Sequence, residues 1–278
     1  MKLPELNLSS RTITSKNAAF VMGIVNCNED SFFSGSRGGA ERAFLLEEEG
    51  ADIIDLGAES TRPGSRYISE EEELSRLIPV IKEIRKKSSI PLSIDTRRKS
   101  VMEAAFNEGA DMLNDISALE DDPALAAFAA EKKIPVFLMH KRGIPSEMQS
   151  NTSYENVFRE VDNYLKERVE YALSQGIDSS KIIVDPGIGF GKDLEANKIL
   201  TARCGELCGG KYPVLMALSR KSYIGLITGR KTEDRLYGTI ICNFISMLSG
   251  ASYVRVHDVA PCVDMLAVLK SFRESGLL

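Results

Sequence analysis

Short apolar runs alternate with longer amphipathic segments along most of the chain. The apolar runs are continuous, as expected of parallel strands that have helices on one side and a barrel core on the other. The strand candidates are Phe20–Val25, Asp52–Gly57, Pro91–Asp95, Asp111–Asp115, Ile134–His140, Lys181–Asp185, Pro213–Leu218 and Ser252–Val256. This order predicts a repeated β/α array.

Helix start and stop signals fall between the strand candidates. Ser69-Glu70-Glu71-Glu72 is a capping box, and Asp122-Pro123 resembles an N-cap followed by proline. The helices expected with both ends are Ser69 to about Lys87, Tyr154 to about Gln175 and Thr232 to about Ser249. Glycines punctuate the helix-to-strand turns, namely Gly50, Gly109, Gly176 and Gly250.

The β/α units predict a single-domain α/β protein, a (β/α)8 TIM barrel that spans residues 1–278. An open doubly wound sheet is the alternative, but it would normally place a glycine-rich phosphate loop after the first strand. The segment there is Asn26-Cys27-Asn28-Glu29. The first 18 or so residues precede the first strand, and we expect a short hairpin there that closes the barrel bottom.

Composition narrows the class of protein. The net charge is −5, which argues against a nucleic-acid or anionic-membrane surface. The five cysteines have irregular spacing and lack nearby zinc partners, so we expect free thiols in a reducing compartment. The chain has no apolar run of about 20 residues and no signal-peptide core at its start. These features favour a soluble, cytoplasmic enzyme.

Polar residues stand where the strand candidates end, and active sites of barrel enzymes lie at that face. A single aspartate there is more often a turn former, and a single histidine is usually structural. A whole rim of such residues favours a substrate site instead. The rim comprises Asn26, Glu59 to Arg62, Asp95, Asn114, Asp115, His140, Asp185, Lys221, Arg255 and His257.

The rim carries both signs of charge. Arg62, Lys221, Arg255 and His257 are suited to phosphate or carboxylate groups. The carboxylates Asp95, Asp115 and Asp185 can pair with ring N–H donors, stabilise a developing cation or hold hydrated Mg²⁺. The substrate is therefore expected to be donor-rich at one end and anionic at the other.

The motifs that carry these residues resemble the dihydropteroate synthase family. They occur in order from about residue 20 to 260, and the ordered set is far more specific than any one tetrapeptide. The motifs are Met22-Gly23-Ile24-Val25-Asn26, Asp30-Ser31-Phe32, Gly50 to Asp55, Glu59-Ser60-Thr61-Arg62-Pro63-Gly64, Ser93-Ile94-Asp95-Thr96, Asn114-Asp115, Leu138-Met139-His140, Asp185 to Phe190, Ser219-Arg220-Lys221-Ser222 and Arg255 to Val259.

The resemblance implies condensation of 6-hydroxymethyl-7,8-dihydropterin diphosphate with p-aminobenzoate. The implied catalytic residues are Asp95, Lys221 and Arg62. The implied pterin-binding residues are Asp95, Asn114, Asp185, Lys221, Met139 and Phe190. The implied diphosphate-binding residues are Asn26, Arg255 and His257, with Mg²⁺ at Asn26. The implied p-aminobenzoate-binding residues are Thr61, Arg62, Pro63, Phe32, Phe190 and Ser222.

The resemblance also implies small-molecule partners only and a homodimer, formed through apolar residues of Thr232–Ser249 and Pro261–Phe272. The first loop departs from the family at Asn28-Glu29 and Ser34, so the p-aminobenzoate side is the less typical part. Two other functions stay open from the sequence. One is a pterin-binding methyltransferase barrel of the corrinoid kind, and the other is a non-catalytic pterin-binding paralogue.

Overall fold

A computed structural model describes residues 3–27, 38–60, 64–65, 67–143 and 147–278. Its strands are β1 Glu5–Asn7, β2 Thr12–Thr14, β3 Phe20–Asn26, β4 Ile53–Gly57, β5 Leu92–Asp95, β6 Met112–Asp115, β7 Val136–Met139, β8 Ile182–Asp185, β9 Leu215–Met216 and β10 Tyr253–Val256. Its helices are α1 Gly39–Glu48, α2 Glu70–Arg85, α3 Lys99–Asn107, α4 Ala124–Lys132, α5 Val157–Ser174, α6 Leu194–Ala202, α7 Ser222–Thr228, α8 Leu236–Leu248 and α9 Val259–Glu274.

Eight parallel strands form one sheet, in the order β8-β7-β6-β5-β4-β3-β10-β9. The sheet closes between β8 and β9, where Val184 N donates to Pro213 O at 3.0 Å. Every strand candidate overlaps one of these strands, and the parallel strands close into a barrel with helices between them, so the predicted TIM barrel is confirmed. Several strands are shorter than expected. The largest difference is at β9, because only Leu215 and Met216 pair with β10.

Side chains of the barrel strands alternate between the helix side and the barrel interior, and apolar residues form a cluster on each side. One cluster lies between strands and helices, and the other fills the barrel interior with large residues such as Phe20, Phe137 and Tyr253. The predicted N-terminal hairpin is the antiparallel pair β1 and β2. Its Leu6 and Leu8 pack into the interior cluster. The interior is therefore a packed core with one end closed by the hairpin, and the other end is left for chemistry.

Helix boundaries were predicted less well than helix positions. Ser69 caps α2 as expected, and its Oγ accepts from Glu72 N. Asp122 Oδ1 accepts from Ala124 N, although α4 begins one residue after Pro123. The glycines expected at helix-to-strand turns all have positive φ, for example +99° at Gly50.

Two predicted helix starts were wrong. Tyr154 is not helical, because its hydroxyl reaches Gly191 O at 2.8 Å and Asn156 caps α5 instead. Thr232 does not cap α8. The carbonyls of Thr232 and Glu233 accept from Arg220 Nη1, which leaves a separate 3-10 turn before the helix starts at Leu236.

Within the part of the chain that the structure describes, no helix has the length and apolar character to cross a membrane.

Candidate active site

The interior of the barrel changes from apolar to polar toward the carboxyl ends of the strands. Alternation along each strand puts Asp55, Asp95, Asn114, Asp185 and Arg255 on the same inward face as the large apolar residues below them. The polar groups therefore stand on a rigid apolar base, which fixes their backbone positions.

Arg255 links two carboxylates inside this polar layer. Its Nε donates to Asp55 Oδ2 at 2.6 Å and its Nη2 donates to Asp95 Oδ2 at 2.8 Å. Asn114 Nδ2 lies 3.3 Å from both carboxylate oxygens of Asp55. We call these four residues the arginine–carboxylate cluster. The cluster brings the predicted Asp95, Asn114 and Arg255 together through Asp55.

Burial and neighbouring charges set the protonation of Asp95. Burial raises its pKa to about 7, Arg255 opposes the shift, and Asp55 adds to it. A carboxyl group whose pKa lies near neutral pH loses its proton readily when a cation forms beside it. Asp95 is therefore placed to respond to positive charge that develops in the barrel mouth.

A second group of residues lies around the loop after β8. Asp185 ends β8, and its Oδ1 accepts from Gly187 N at 2.7 Å. Lys221 Nζ donates to Ile188 O and lies 5.0 Å from the centroid of the Phe190 ring. Burial lowers the pKa of Lys221 to about 8, although the Asp185 charge opposes that shift. The predicted Asp185, Lys221 and Phe190 therefore belong to one assembly.

Asn26, His257, Met139 and Ser222 surround the mouth. Asn26 ends β3 opposite Gly57, and His257 follows β10 with Nδ1 2.9 Å from Ser219 Oγ. Met139 is buried at the end of β7, whereas Ser222 is exposed at the start of α7. Arg255, predicted to act with Asn26 and His257, donates to Asp55 and Asp95 of the arginine–carboxylate cluster.

Asp115 was wrongly expected to belong to the reactive rim. It points away from the barrel interior because it follows Asn114 in β6. Its carboxylate accepts from Ser117 N and Oγ and from Leu119 N, each at 2.7 Å. Asp115 therefore stabilises the turn after β6.

The predicted Thr61, Arg62, Pro63 and Phe32 lie outside the described residues, as does the atypical first loop from Asn28 to Ser34. Among the residues that the structure does describe, no group of three or more histidine, cysteine or acidic side chains forms a metal-binding cluster. Asn26 provides a single amide oxygen at the mouth. That donor set suits Mg²⁺ only as an ion held largely by substrate phosphates, the usual arrangement for this metal.

Two residues of the site were missed in the sequence. Asp55 lies within the apolar strand β4, two residues before Gly57, so the two residues face the same side of the sheet. Its inward position could therefore have been inferred from strand alternation. Lys192 is buried, and its Nζ donates a hydrogen bond to Gly187 O in the loop after β8. Nothing in its sequence context distinguishes it from an exposed lysine.

The chain is similar to known proteins in both sequence and structure. A family model described as "Pterin binding enzyme" matches residues 22–257. The dihydropteroate synthase of Haemophilus influenzae is 42% identical over 253 residues, which cover 89% of this chain and 92% of that protein.

Solved structures of Xanthomonas albilineans dihydropteroate synthase are also similar. The complex with 4-aminobenzoic acid has a TM-score of 0.89 and 40% identity, and covers 98% of both chains. The complex with 7,8-dihydropteroate has a TM-score of 0.85 and 38% identity, and covers 97% of this chain and 99% of that one.

The fold and the family match define a pterin-binding barrel enzyme. Within that class, the chain belongs to the dihydropteroate synthase family and is a transferase of folate synthesis.

Proposed function

We propose that the barrel mouth condenses 6-hydroxymethyl-7,8-dihydropterin diphosphate with p-aminobenzoate to give 7,8-dihydropteroate and diphosphate. One observation carries the proposal: Asp185, Lys221 and Asn114 stand inside one barrel mouth above an apolar base. A carboxylate accepts two parallel N–H bonds from an aminopyrimidinone edge. Lys221 donates to the ring carbonyl and ring nitrogen, while Asn114 offers both a donor and an acceptor.

The substitution proceeds by charge separation. The bond between the exocyclic methylene carbon and the diphosphate oxygen breaks, and its electron pair leaves with diphosphate. The methylene cation that remains is delocalised into the pterin, next to Asp95. The amine lone pair of p-aminobenzoate then forms the C–N bond, and the amine proton passes to solvent. The site's main task is to stabilise charge and hold the reactants in line, so it needs no strong base.

Asn26, His257 and Arg255 bind the diphosphate in this proposal. Arg255 uses Nε and Nη2 for Asp55 and Asp95, and neither contact involves Nη1. Ser219 Oγ holds the imidazole of His257 at the barrel mouth by a contact to Nδ1 at 2.9 Å. Mg²⁺ bound by the diphosphate and the Asn26 oxygen would neutralise charge on the leaving group.

The p-aminobenzoate side comprises Phe190 and Ser222, together with Thr61, Arg62, Pro63 and Phe32 beyond the described residues. The Phe190 ring lies beside Lys221, so an aromatic acid placed there would meet both an apolar face and a cation. Arg62 would bind its carboxylate.

The decisive experiment mixes the protein with dihydropterin diphosphate and Mg²⁺, with and without p-aminobenzoate, and measures diphosphate. Release that depends on p-aminobenzoate and is inhibited competitively by a sulfonamide supports the synthase. Pterin binding without release would indicate the non-catalytic paralogue. Methyl transfer from a methylated pterin would indicate the corrinoid-type barrel.

We also propose that the protein is a cytoplasmic homodimer. Tyr237, Ile241, Ile245 and Leu248 follow one another at helical spacing on α8, and Tyr237 is 80% exposed. Val268 and Phe272 of α9 are exposed as well, and α9 packs against α8. An apolar surface of this kind favours association with a second copy.

A further inference from the structure

Lys192 is enclosed by the loop that follows β8. Its side-chain nitrogen Nζ lies 2.9 Å from Gly187 O, 2.9 Å from Phe190 O and 2.9 Å from His140 Nδ1. The residue is only 3% exposed. A lysine ammonium has three protons, and these acceptors use all of them.

The protonation states around Lys192 are mutually consistent. Burial and the nearby Lys192 charge lower the pKa of His140 to about 2, so the imidazole is neutral. With its proton on Nε2, the ring accepts from Lys192 at Nδ1. Burial also lowers the pKa of Lys192, while the Asp185 charge opposes that effect. Three acceptors each require a proton, so the geometry fits the ammonium form.

The loop around Lys192 has little freedom to take another shape. Gly187 has a φ of +66°, and a Cβ placed there would lie 1.8 Å from His140 O. Gly187 N donates to Asp185 Oδ1, and Asn197 Oδ1 accepts from Gly189 N at 2.7 Å. Lys192 therefore joins the end of β7 to both ends of the Gly187–Phe190 segment.

We propose that Lys192 is a positioning residue for the reaction: its ammonium holds the Gly187–Phe190 segment against His140, so that the Asp185 carboxylate and the Phe190 ring face the substrates. The proposal rests on the proposed function and deepens it. It assigns Lys192 no contact with substrate. Its effect passes through Gly187 to Asp185 and through the Phe190 carbonyl to the ring.

The test compares Lys192→Met with Lys198→Met by steady-state kinetics on folded protein. Lys198 is an exposed lysine of α6 that pairs with Glu195, so its replacement controls for loss of one positive charge. Lys192→Met removes all three hydrogen bonds of the ammonium, so the loop should hold Asp185 and Phe190 less well. KM should rise for both substrates, and kcat/KM should fall by about tenfold to a hundredfold. The kcat should change much less than KM, and Lys198→Met should match the wild type.

A second pair of variants separates positioning from general stability. His140→Leu removes the acceptor at Nδ1 and keeps a similar volume, whereas His140→Asn keeps an oxygen acceptor near that position in a smaller side chain. His140→Leu should raise KM, and His140→Asn should restore it toward the wild-type value. This pair also decides the question if Lys192→Met does not fold.

Folded Lys192→Met with wild-type KM values would overturn the proposal, and so would equal KM values for the two His140 variants. In either case an active wild-type enzyme would leave the proposed function intact. If the wild type releases no diphosphate, the proposed function fails instead. The dissociation constant of the dihydropterin then replaces KM in the same comparisons.

Discussion

Asp55 offers the sharpest test of the polar layer, because Arg255 and Asn114 both depend on it. Asp55→Asn keeps the shape of the side chain and removes the negative charge of the carboxylate, whose Oδ2 accepts from Arg255 Nε at 2.6 Å. Loss of a charge-assisted hydrogen bond costs about 1.5–3 kcal/mol. Complete loss of a buried ion pair costs about 3–5 kcal/mol. The smaller range applies here because Arg255 keeps its hydrogen bond to Asp95 Oδ2 at 2.8 Å.

The assay for Asp55→Asn combines thermal unfolding with pterin binding. We expect Tm to fall by several degrees, on the order of 5 °C, and pterin affinity to fall by about tenfold or more as Arg255 and Asn114 lose their alignment. The Asp55 charge also raises the pKa of Asp95. In Asp55→Asn, the loss of activity at acid pH that follows protonation of Asp95 should therefore occur at a lower pH.

Asp52→Asn is the matched control, because Asp52 immediately precedes the same strand at its opposite end. Its Oδ2 accepts from Val21 N at 2.9 Å and from Ser15 Oγ at 3.1 Å, at the closed bottom of the barrel. This variant should lose stability and keep pterin affinity. Wild-type pterin affinity in Asp55→Asn, or equal losses of affinity in both variants, would show that Asp55 does not align Arg255 and Asn114 for the pterin.

Other predictions follow from the same geometry. Activity at limiting pterin should be highest between about pH 7 and pH 8, because Asp95 must be ionised above a pKa of about 7 and Lys221 protonated below about 8; a flat profile from pH 6 to pH 9 would contradict these roles. Because Asp95 has a folded-state pKa above 3.8, its contribution to stability should decline as pH rises from about 4 to 7, which unfolding midpoints across that window would test. Asp185→Asn should weaken pterin binding by about a hundredfold, and near-wild-type turnover would sink the assignment. Ile241→Glu, at a position 59% exposed, should shift sedimentation from dimer to monomer with little loss of Tm, whereas an unchanged dimer would place the interface elsewhere.

The fold was largely predictable, because continuous apolar runs and regular glycine stops both depend on local sequence. Strand ends were less predictable. Pro213–Leu218 reads as a full strand, but only Leu215 and Met216 pair with β10. Helix starts failed where a distant side chain competed for the backbone, as Arg220 does for the carbonyls of Thr232 and Glu233.

The site was predictable as a set of residues and less so as a set of contacts. Strand alternation alone separates inward Asn114 from outward Asp115. The link from Asp55 through Arg255 to Asp95 joins strands that are far apart in sequence, and only the closed barrel brings them together. Lys192 was missed for the same reason, since its acceptors include His140, which follows β7 and lies 52 residues away in sequence.

We propose that this barrel mouth binds a dihydropterin diphosphate and transfers the pterin to p-aminobenzoate. The most direct test measures dihydropteroate and diphosphate in the same reaction, for the wild type and for Asp185→Asn. We expect equal amounts of the two products from the wild type and a parallel loss of both in the variant. Diphosphate without dihydropteroate, or full product formation by Asp185→Asn, would contradict it.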